Sequence, residues 1–171
     1  MPDAMAEAAL LVGDGNWHTR AADGVRAVRL CDGPTGVRRE LPDGTTAPAT
    51  CFPTAATLGA SWDRDLVAEV GAALGVEAAA GGVDVLLAPG VNIKRIPLCG
   101  RNFEYLAEDP LLSGILGAAY VTGLQSSGVG ASLKHFAANN QEYQRLFTSV
   151  RVDERTLREI YLPAFERIVA E

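Results

Sequence analysis

The sequence predicts an α/β fold built on parallel strands, and three observations predict it. Apolar stretches of strand length alternate with segments of helical period. The connections between them run to about 20 residues or more, too long for hairpins and suited to βαβ crossovers. One stretch, Val83–Val91, is a near-continuous apolar run, the pattern of a strand buried on both faces.

The elements follow in order. Asp3 to Val12 reads as a short helix with alanines and leucines on one side. Gly13 to Gly24 is turn-rich and holds Trp17 and His18, expected to pack as a loop. Val25 to Cys31 reads as a strand, cut off by Asp32-Gly33-Pro34. Arg38 to Thr50 is polar, with Pro and Gly, and reads as a loop. Thr57 to Ser61 reads as a short strand. Asp63 then caps a helix reaching Ala80, with Leu66, Val70, Ala73, Leu74 and Glu77 at helical spacing, and Gly81-Gly82 stops it.

After Val83–Val91, residues Asn92 to Glu108 form a long loop. Asp109-Pro110 starts the next helix: Asp caps, and Pro at the first helical position loses no needed N–H. Leu111, Leu112, Ile115, Leu116, Ala119 and Tyr120 give it an apolar face, and Gly128 ends it. Val129 to Ala137 is a further strand. Asp153 caps a last amphipathic helix with Leu157, Ile160 and Tyr161, which Pro163 either kinks or follows with a second helix. The apolar periodicity continues to Glu171.

This gives about four parallel strands with flanking helices. An open doubly wound sheet would carry a Gly-rich phosphate loop after its first strand, and Asp32-Gly33-Pro34-Thr35-Gly36 is not one: its proline removes a donor and no helix follows. The reading is therefore a partial (β/α)8 barrel. A complete barrel needs about 250 residues, so residues 1–171 are expected to be its N-terminal half, with open sheet edges that favour self-association or complementation by the missing half.

Composition narrows the function. The 171 residues are 48% apolar, enough for one domain with a real core. Net charge is −6 and the 15 basic residues are scattered, which argues against nucleic acid. Three cysteines, Cys31, Cys51 and Cys99, show no metal-ligand spacing and are expected to be reduced, buried or half-buried thiols. The N-terminal residues lack the basic start of a signal peptide, and no apolar run approaches the roughly 20 residues of a membrane span. A cytoplasmic setting is expected, with no membrane, metal or cofactor: two histidines without suitably spaced carboxylates make no metal site.

Chemistry in parallel α/β folds sits at the carboxyl ends of strands. Three strand ends here carry charge. Asp32, with Arg38 six residues on, is either a turn aspartate beside a solvated arginine or part of a site. Arg101-Asn102-Phe103-Glu104, in the long loop, is either a surface ion pair or functional. Lys134-His135 is hard to explain as packing, because burying a charge costs several kcal/mol unless it is paired. Two adjacent polar residues at a buried strand end point to a polar cavity. Lys134 also admits a Schiff-base aldolase reading if burial activates its amine. No Ser/His/Asp arrangement or nucleophile elbow is present.

At these segments the chain resembles the N-terminal barrel domain of family 3 glycoside hydrolases, the β-glucosidase group. The resemblance rests on Trp17-His18-Thr19, Asp32-Gly33-Pro34-Thr35-Gly36-Val37-Arg38, Cys51-Phe52-Pro53-Thr54 and Ala60-Ser61-Trp62-Asp63. Further along it rests on Leu87 through Ile93, Gly100-Arg101-Asn102-Phe103-Glu104, Glu108-Asp109-Pro110, Lys134 through Glu142 and Asp153-Glu154-Arg155. Ala137-Ala138-Asn139-Asn140 after Lys-His-Phe is similar to β-glucosidase-like members rather than the N-acetylglucosaminidase branch. The resemblance implies a retaining, exo-acting β-glycosidase that removes a non-reducing terminal β-glucosyl residue, with xylosidase or broader activity open. It implies that Asp32, Arg38, Arg101, Lys134, His135 and Arg145 line the subsite for that sugar. The family's nucleophilic aspartate lies on a later barrel strand in a Ser-Asp-Trp-like context, and its acid/base glutamate usually lies in a following domain. Neither context occurs here; Asp63 follows Trp62 and comes too early. No catalytic residue is expected in this chain, which alone is expected to be inactive. A non-catalytic fragment or interaction module on the same scaffold is the alternative.

Overall fold

Three aspartates set the helical frame, each by accepting a backbone N–H in the first turn that follows it. The computed structural model describes residues 4–22 and 24–171. Asp63 accepts from the Leu66 N–H at 3.0 Å and opens α3, Arg64–Ala80. Asp109 accepts from Leu112 at 2.7 Å and opens α4, Pro110–Gln125. Asp153 accepts from Thr156 at 2.9 Å and opens a short α5, Glu154–Thr156, which runs on as a π turn over Leu157–Tyr161. Pro163 does not kink this segment but starts a new helix, α6, Pro163–Ala170. Before these come α1, Ala4–Leu10, β1, Leu30–Asp32, and α2, Ala55–Ser61. The start expected for the first helix, Asp3, lies outside the described residues.

The sheet is parallel, in the order β1-β2-β3, with β2 at Val85–Leu87 and β3 at Gly130–Ala131. Leu30, Cys31 and Asp32 stand opposite Val85, Leu86 and Leu87, and Val85 and Leu86 stand opposite Gly130 and Ala131. The described residues thus hold three strands, not four. Thr57–Ser61 is helical instead. The Thr54 hydroxyl caps it by accepting from the Thr57 N–H, and the buried residues Ala55, Leu58 and Gly59 recur at helical spacing. Trp62, at φ 57°, ends it.

The regular strands are also shorter than Val25–Cys31, Val83–Val91 and Val129–Ala137. Before β1 the chain turns to an antiparallel bridge between His18 and Arg29. After β2, Pro89 has no N–H to give the ladder. Beyond that gap the extended pairing resumes: Lys134 donates to the Pro89 carbonyl at 3.1 Å and Val91 donates to the Lys134 carbonyl at 2.8 Å. The chain segments that follow β2 and β3 therefore stay side by side although the ladder is broken.

Close helix packing covers the sheet. Val67, Gly71, Leu74, Gly75 and Ala78 of α3 are buried, with Gly71 and Gly75 against α4, whereas Leu66 is exposed. The buried face lies beside the one expected, because glycines let the two backbones approach. A Cβ on Gly123 would lie 2.1 Å from the Ala68 carbonyl oxygen, and one on Gly71 would lie 2.4 Å from that of Tyr120. On α4, Leu111 is exposed and Leu116, Ala119, Tyr120 and Leu124 are buried. Cys31 and Cys99 are buried free thiols; Cys51 is free but exposed, on the surface loop leading to α2. Trp17 is half-buried with its indole N–H on Glu40 at 2.8 Å, but His18 is exposed, bridged to Arg29 through backbone alone.

Candidate functional site

β1, β2 and β3 run parallel, so their carboxyl ends and the loops that follow meet on one side of the sheet. There an open cleft of about 410 Å³ is lined by Asp32 to Gly36 from the loop after β1, with Arg38, Arg101, Phe103, Glu104 and Arg145. Asp32 is the last residue of β1. Its Oδ1 accepts from Lys134 Nζ at 2.8 Å, across 102 residues of sequence. Arg101 Nε binds Glu104 Oε1, and Lys134 Nζ lies 3.6 Å from Glu104 Oε2. Glu104 is 4% exposed, at the end of a single 3-10 turn, Asn102–Glu104. The Arg101–Glu104 pair is therefore half-buried, its carboxylate end inside, and not a solvated surface ion pair. Four charges alternate in sign along Asp32, Lys134, Glu104 and Arg101, which satisfies each partner away from bulk water.

The other expected residues divide. Arg38 and Arg145 stand at the rim, their side chains 73% and 53% exposed. Arg38 is 3.9 Å from Asp32 Oδ2, and Arg145 is 3.1 Å from Glu142 Oε2. His135 is half-buried and turns its Nδ1 to the Tyr105 hydroxyl at 2.9 Å. Its backbone is clamped by Asn92, which donates from Nδ2 to the His135 carbonyl and accepts at Oδ1 from the His135 N–H, both at 2.9 Å. Asn139 Nδ2 reaches Tyr105 Oη at 2.9 Å and Glu142 Oε1 at 3.0 Å. Glu142 Oε1 also faces Arg101 NH1 at 3.7 Å, which joins the His135 side of the site to the cleft.

The electrostatics follow from these contacts. Burial works to raise the Asp32 pKa, but the Lys134 hydrogen bond and charge outweigh it, and the carboxyl is held below its ordinary value. Burial opposes the Arg101 charge, yet Glu104 more than compensates and raises that guanidinium. His135 is held down to about 4, first by burial and then by the positive charges of Arg101 and Lys134. The cleft is thus lined by the carboxylates of Asp32 and Glu104 and by the guanidinium groups of Arg38, Arg101 and Arg145; Lys134 and His135 are not among its lining residues, and Lys134 is bonded to it through Asp32.

Four residues of this network have no role assigned from sequence: Asn92, Tyr105, Asn139 and Glu142; Glu104 is read there only as the partner of Arg101 in an ion pair. Glu142 lies in the same short stretch as Lys134-His135, and an acid among clustered bases is the signal that could have found it. Among the described residues, no group of three or more His, Cys, Asp or Glu side chains is placed to hold a metal ion. No helix there is long and apolar enough to cross a membrane.

The fold and cleft define an α/β domain that gathers alternating charges at the carboxyl ends of parallel strands. A model of the glycosyl hydrolase family 3 N-terminal domain matches residues 19–171, and the chain belongs to that family. It is 54% identical over 171 residues to the thermostable β-glucosidase B of Acetivibrio thermocellus, covering 95% of this chain and 23% of that protein. It is 48% identical to an exo-α-(1→6)-L-arabinopyranosidase of Bifidobacterium longum, again over 95% of this chain and 23% of the relative. Among solved structures, β-glucosidase 3B of Thermotoga neapolitana in complex with α-D-glucose superposes with a TM-score of 0.83 at 50% identity. That match covers 89% of this chain and 22% of the other. The chain thus spans a little under a quarter of the length of these relatives.

Proposed function

We propose that this chain forms the sugar-gripping wall of a retaining, exo-acting β-glycosidase acting on a non-reducing terminal β-glucosyl residue. The observation that carries the reading is the Asp32–Lys134 pair at 2.8 Å, whose aspartate lines one cleft with Arg101 and Glu104. An aspartate accepts from two vicinal hydroxyls, while Lys, Arg and an imidazole N–H donate to their oxygens. Each charged hydrogen bond contributes roughly 1.5–3 kcal/mol. Arg38 and Arg145 at the rim would guide the sugar or its neighbour. The glucose complex of the Thermotoga neapolitana relative supports a hexose as the ligand.

The nucleophile is proposed to lie outside these 171 residues, on a further strand of a (β/α)8 barrel of which they form the first half. Retaining enzymes need two carboxyl groups about 5–5.5 Å apart and free to react. Asp32, Glu104 and Glu142 are each held by cationic side chains. Lys134 lies between two carboxylates, which gives no support to a free Schiff-base amine.

Calorimetry of the 171-residue chain with glucose tests the reading. Binding is expected, weakened about 10–100-fold by Asp32→Asn, the equivalent of one charged hydrogen bond; no heat with wild-type chain would end it. Arabinose belongs in the same titration, since the Bifidobacterium longum relative is an arabinopyranosidase. Hydrolysis of a nitrophenyl β-glucoside by the chain alone would overturn the placement of the nucleophile. Exposed Phe136, Leu146, Phe147 and Val169 also favour self-association. A monomer by light scattering at micromolar concentration would count against that.

A further inference from the structure

The hydrogen bonds behind His135 run in one direction only. Glu142 Oε1 is a carboxylate oxygen and can only accept. Asn139 therefore turns its NH2 group toward it, at 3.0 Å. The same nitrogen lies 2.9 Å from Tyr105 Oη, so its second N–H is donated there. Tyr105 has a single proton of its own. Its other partner is His135 Nδ1, at 2.9 Å, so the phenol O–H points to the ring. A ring nitrogen that accepts carries no proton, and in a neutral imidazole the proton then sits on Nε2. The opposite arrangement, with Nδ1–H donating to Tyr105, would leave the phenol oxygen facing two donors and its own proton without an acceptor.

We propose that Tyr105 is a positioning residue which, oriented by Asn139 and Glu142, holds His135 as its neutral Nε2–H tautomer. The ring then offers an incoming oxygen a donor and no acceptor. His135 Nε2 makes no hydrogen bond to the described residues, and the ring is only half-buried. Two further features support the lock. Asn92, 1% exposed, pins the His135 backbone at both its N–H and its carbonyl. Burial, with Arg101 and Lys134 opposing Glu104 and Glu142, keeps the ring uncharged at neutral pH. The lock originates at a carboxylate that two arginines hold, Arg101 at 3.7 Å and Arg145 at 3.1 Å. Ring orientation is thus tied to the same charges that line the cleft. The use of Nε2–H toward a sugar hydroxyl rests on the glycosidase reading; the tautomer itself does not.

Nitrogen-15 imidazole spectra of the 171-residue chain test this directly. The chain has two histidines, and a His18→Gln variant assigns the pair. At pH 7 His135 is expected to show a protonated Nε2 and an unprotonated Nδ1; a protonated Nδ1 in the wild-type chain would overturn the proposal. Asn139→Asp supplies an acceptor in place of the donor, so Tyr105 would give its proton to the new carboxylate and accept from the ring. The spectrum should then shift to a majority of Nδ1–H or of charged imidazolium. A folded Asn139→Asp chain with unchanged ring shifts would also overturn it. If that variant does not fold, the wild-type spectrum still decides. The Nε2–H tautomer without glucose binding would sink the sugar reading and leave the lock standing. Glucose binding with Nδ1–H would do the reverse.

Discussion

The α3–α4 contact and the strand-end cluster are held together by opposite means. Between the helices there is almost nothing to satisfy: glycines bring backbones together and Val67, Leu74, Leu116 and Leu124 fill the rest. At the strand ends everything must be satisfied, because Glu104 is buried and its two carboxylate oxygens face Arg101 and Lys134. The first region depends on shape and tolerates no added volume. The second depends on charge count and tolerates no missing partner.

The sharpest break in this comparison is Gly123→Val. Its Cβ would meet the Ala68 carbonyl oxygen at 2.1 Å, and no side chain can move aside, since the obstacle is backbone. A loss of about 4 kcal/mol in urea unfolding is expected. Val76→Ala, on the exposed face of α3, should change stability by less than about 0.5 kcal/mol. A mild Gly123→Val would mean that the helices separate freely.

Glu104→Gln tests the other region. It keeps the shape and removes the charge, leaving Arg101 and Lys134 with one fewer carboxylate. About 3 kcal/mol of stability should be lost, and glucose binding should weaken as both cations reorient. Unchanged stability of the Glu104→Gln chain would show that Asp32 and Glu142 suffice.

A pH titration separates the regions without mutation. The His135 pKa is depressed from 6.5 to about 4 on folding. The unfolded chain therefore binds more protons within that window, and stability falls as pH drops from 6.5 toward 4. Because His135 is only half-buried, its share should be about 1–2 kcal/mol, reduced from the full shift by solvent screening. His135→Gln should remove that part of the slope. The Asp32 carboxyl, also depressed, adds its loss at lower pH, as the solution approaches its folded pKa. Gly71, Gly75 and Gly123, where α3 and α4 meet, carry no side chain to titrate, so Gly123 variants should keep the wild-type slope.

The contrast also explains what is legible in the sequence. Asp63, Asp109 and Asp153 announce their helices because a cap and its N–H are three residues apart. Asp32, Lys134 and His135 stand out as charge placed where apolar strands end. Tyr105 does not, because the partner that gives it a place in the network, His135, lies 30 residues away. Thr57–Ser61 reads as a strand because its apolar spacing is too short to separate a strand from two helical turns, and the deciding cap, Thr54, lies before it. Strand ends read too long for a related reason: Pro89 breaks the ladder while the apolar run continues past it.

The smallest expected effect concerns those caps. Asp109→Ala removes the acceptor at the start of α4, whose buried residues pack against α3 and α6. Loss of one N-cap costs about 1 kcal/mol when the helix is otherwise held in place. Asp153→Ala removes a cap of similar length, but from a three-residue helix that buries none of its own residues. Both variants should lose about 1 kcal/mol or less by global unfolding. They should differ in amide exchange: α4 should open only with the whole domain, whereas Glu154–Thr156 should fray locally. Equal exchange at the two starts would mean that the tertiary packing of α4 adds nothing to its first turn, and that the dry region is weaker at its edge than the glycine contacts imply.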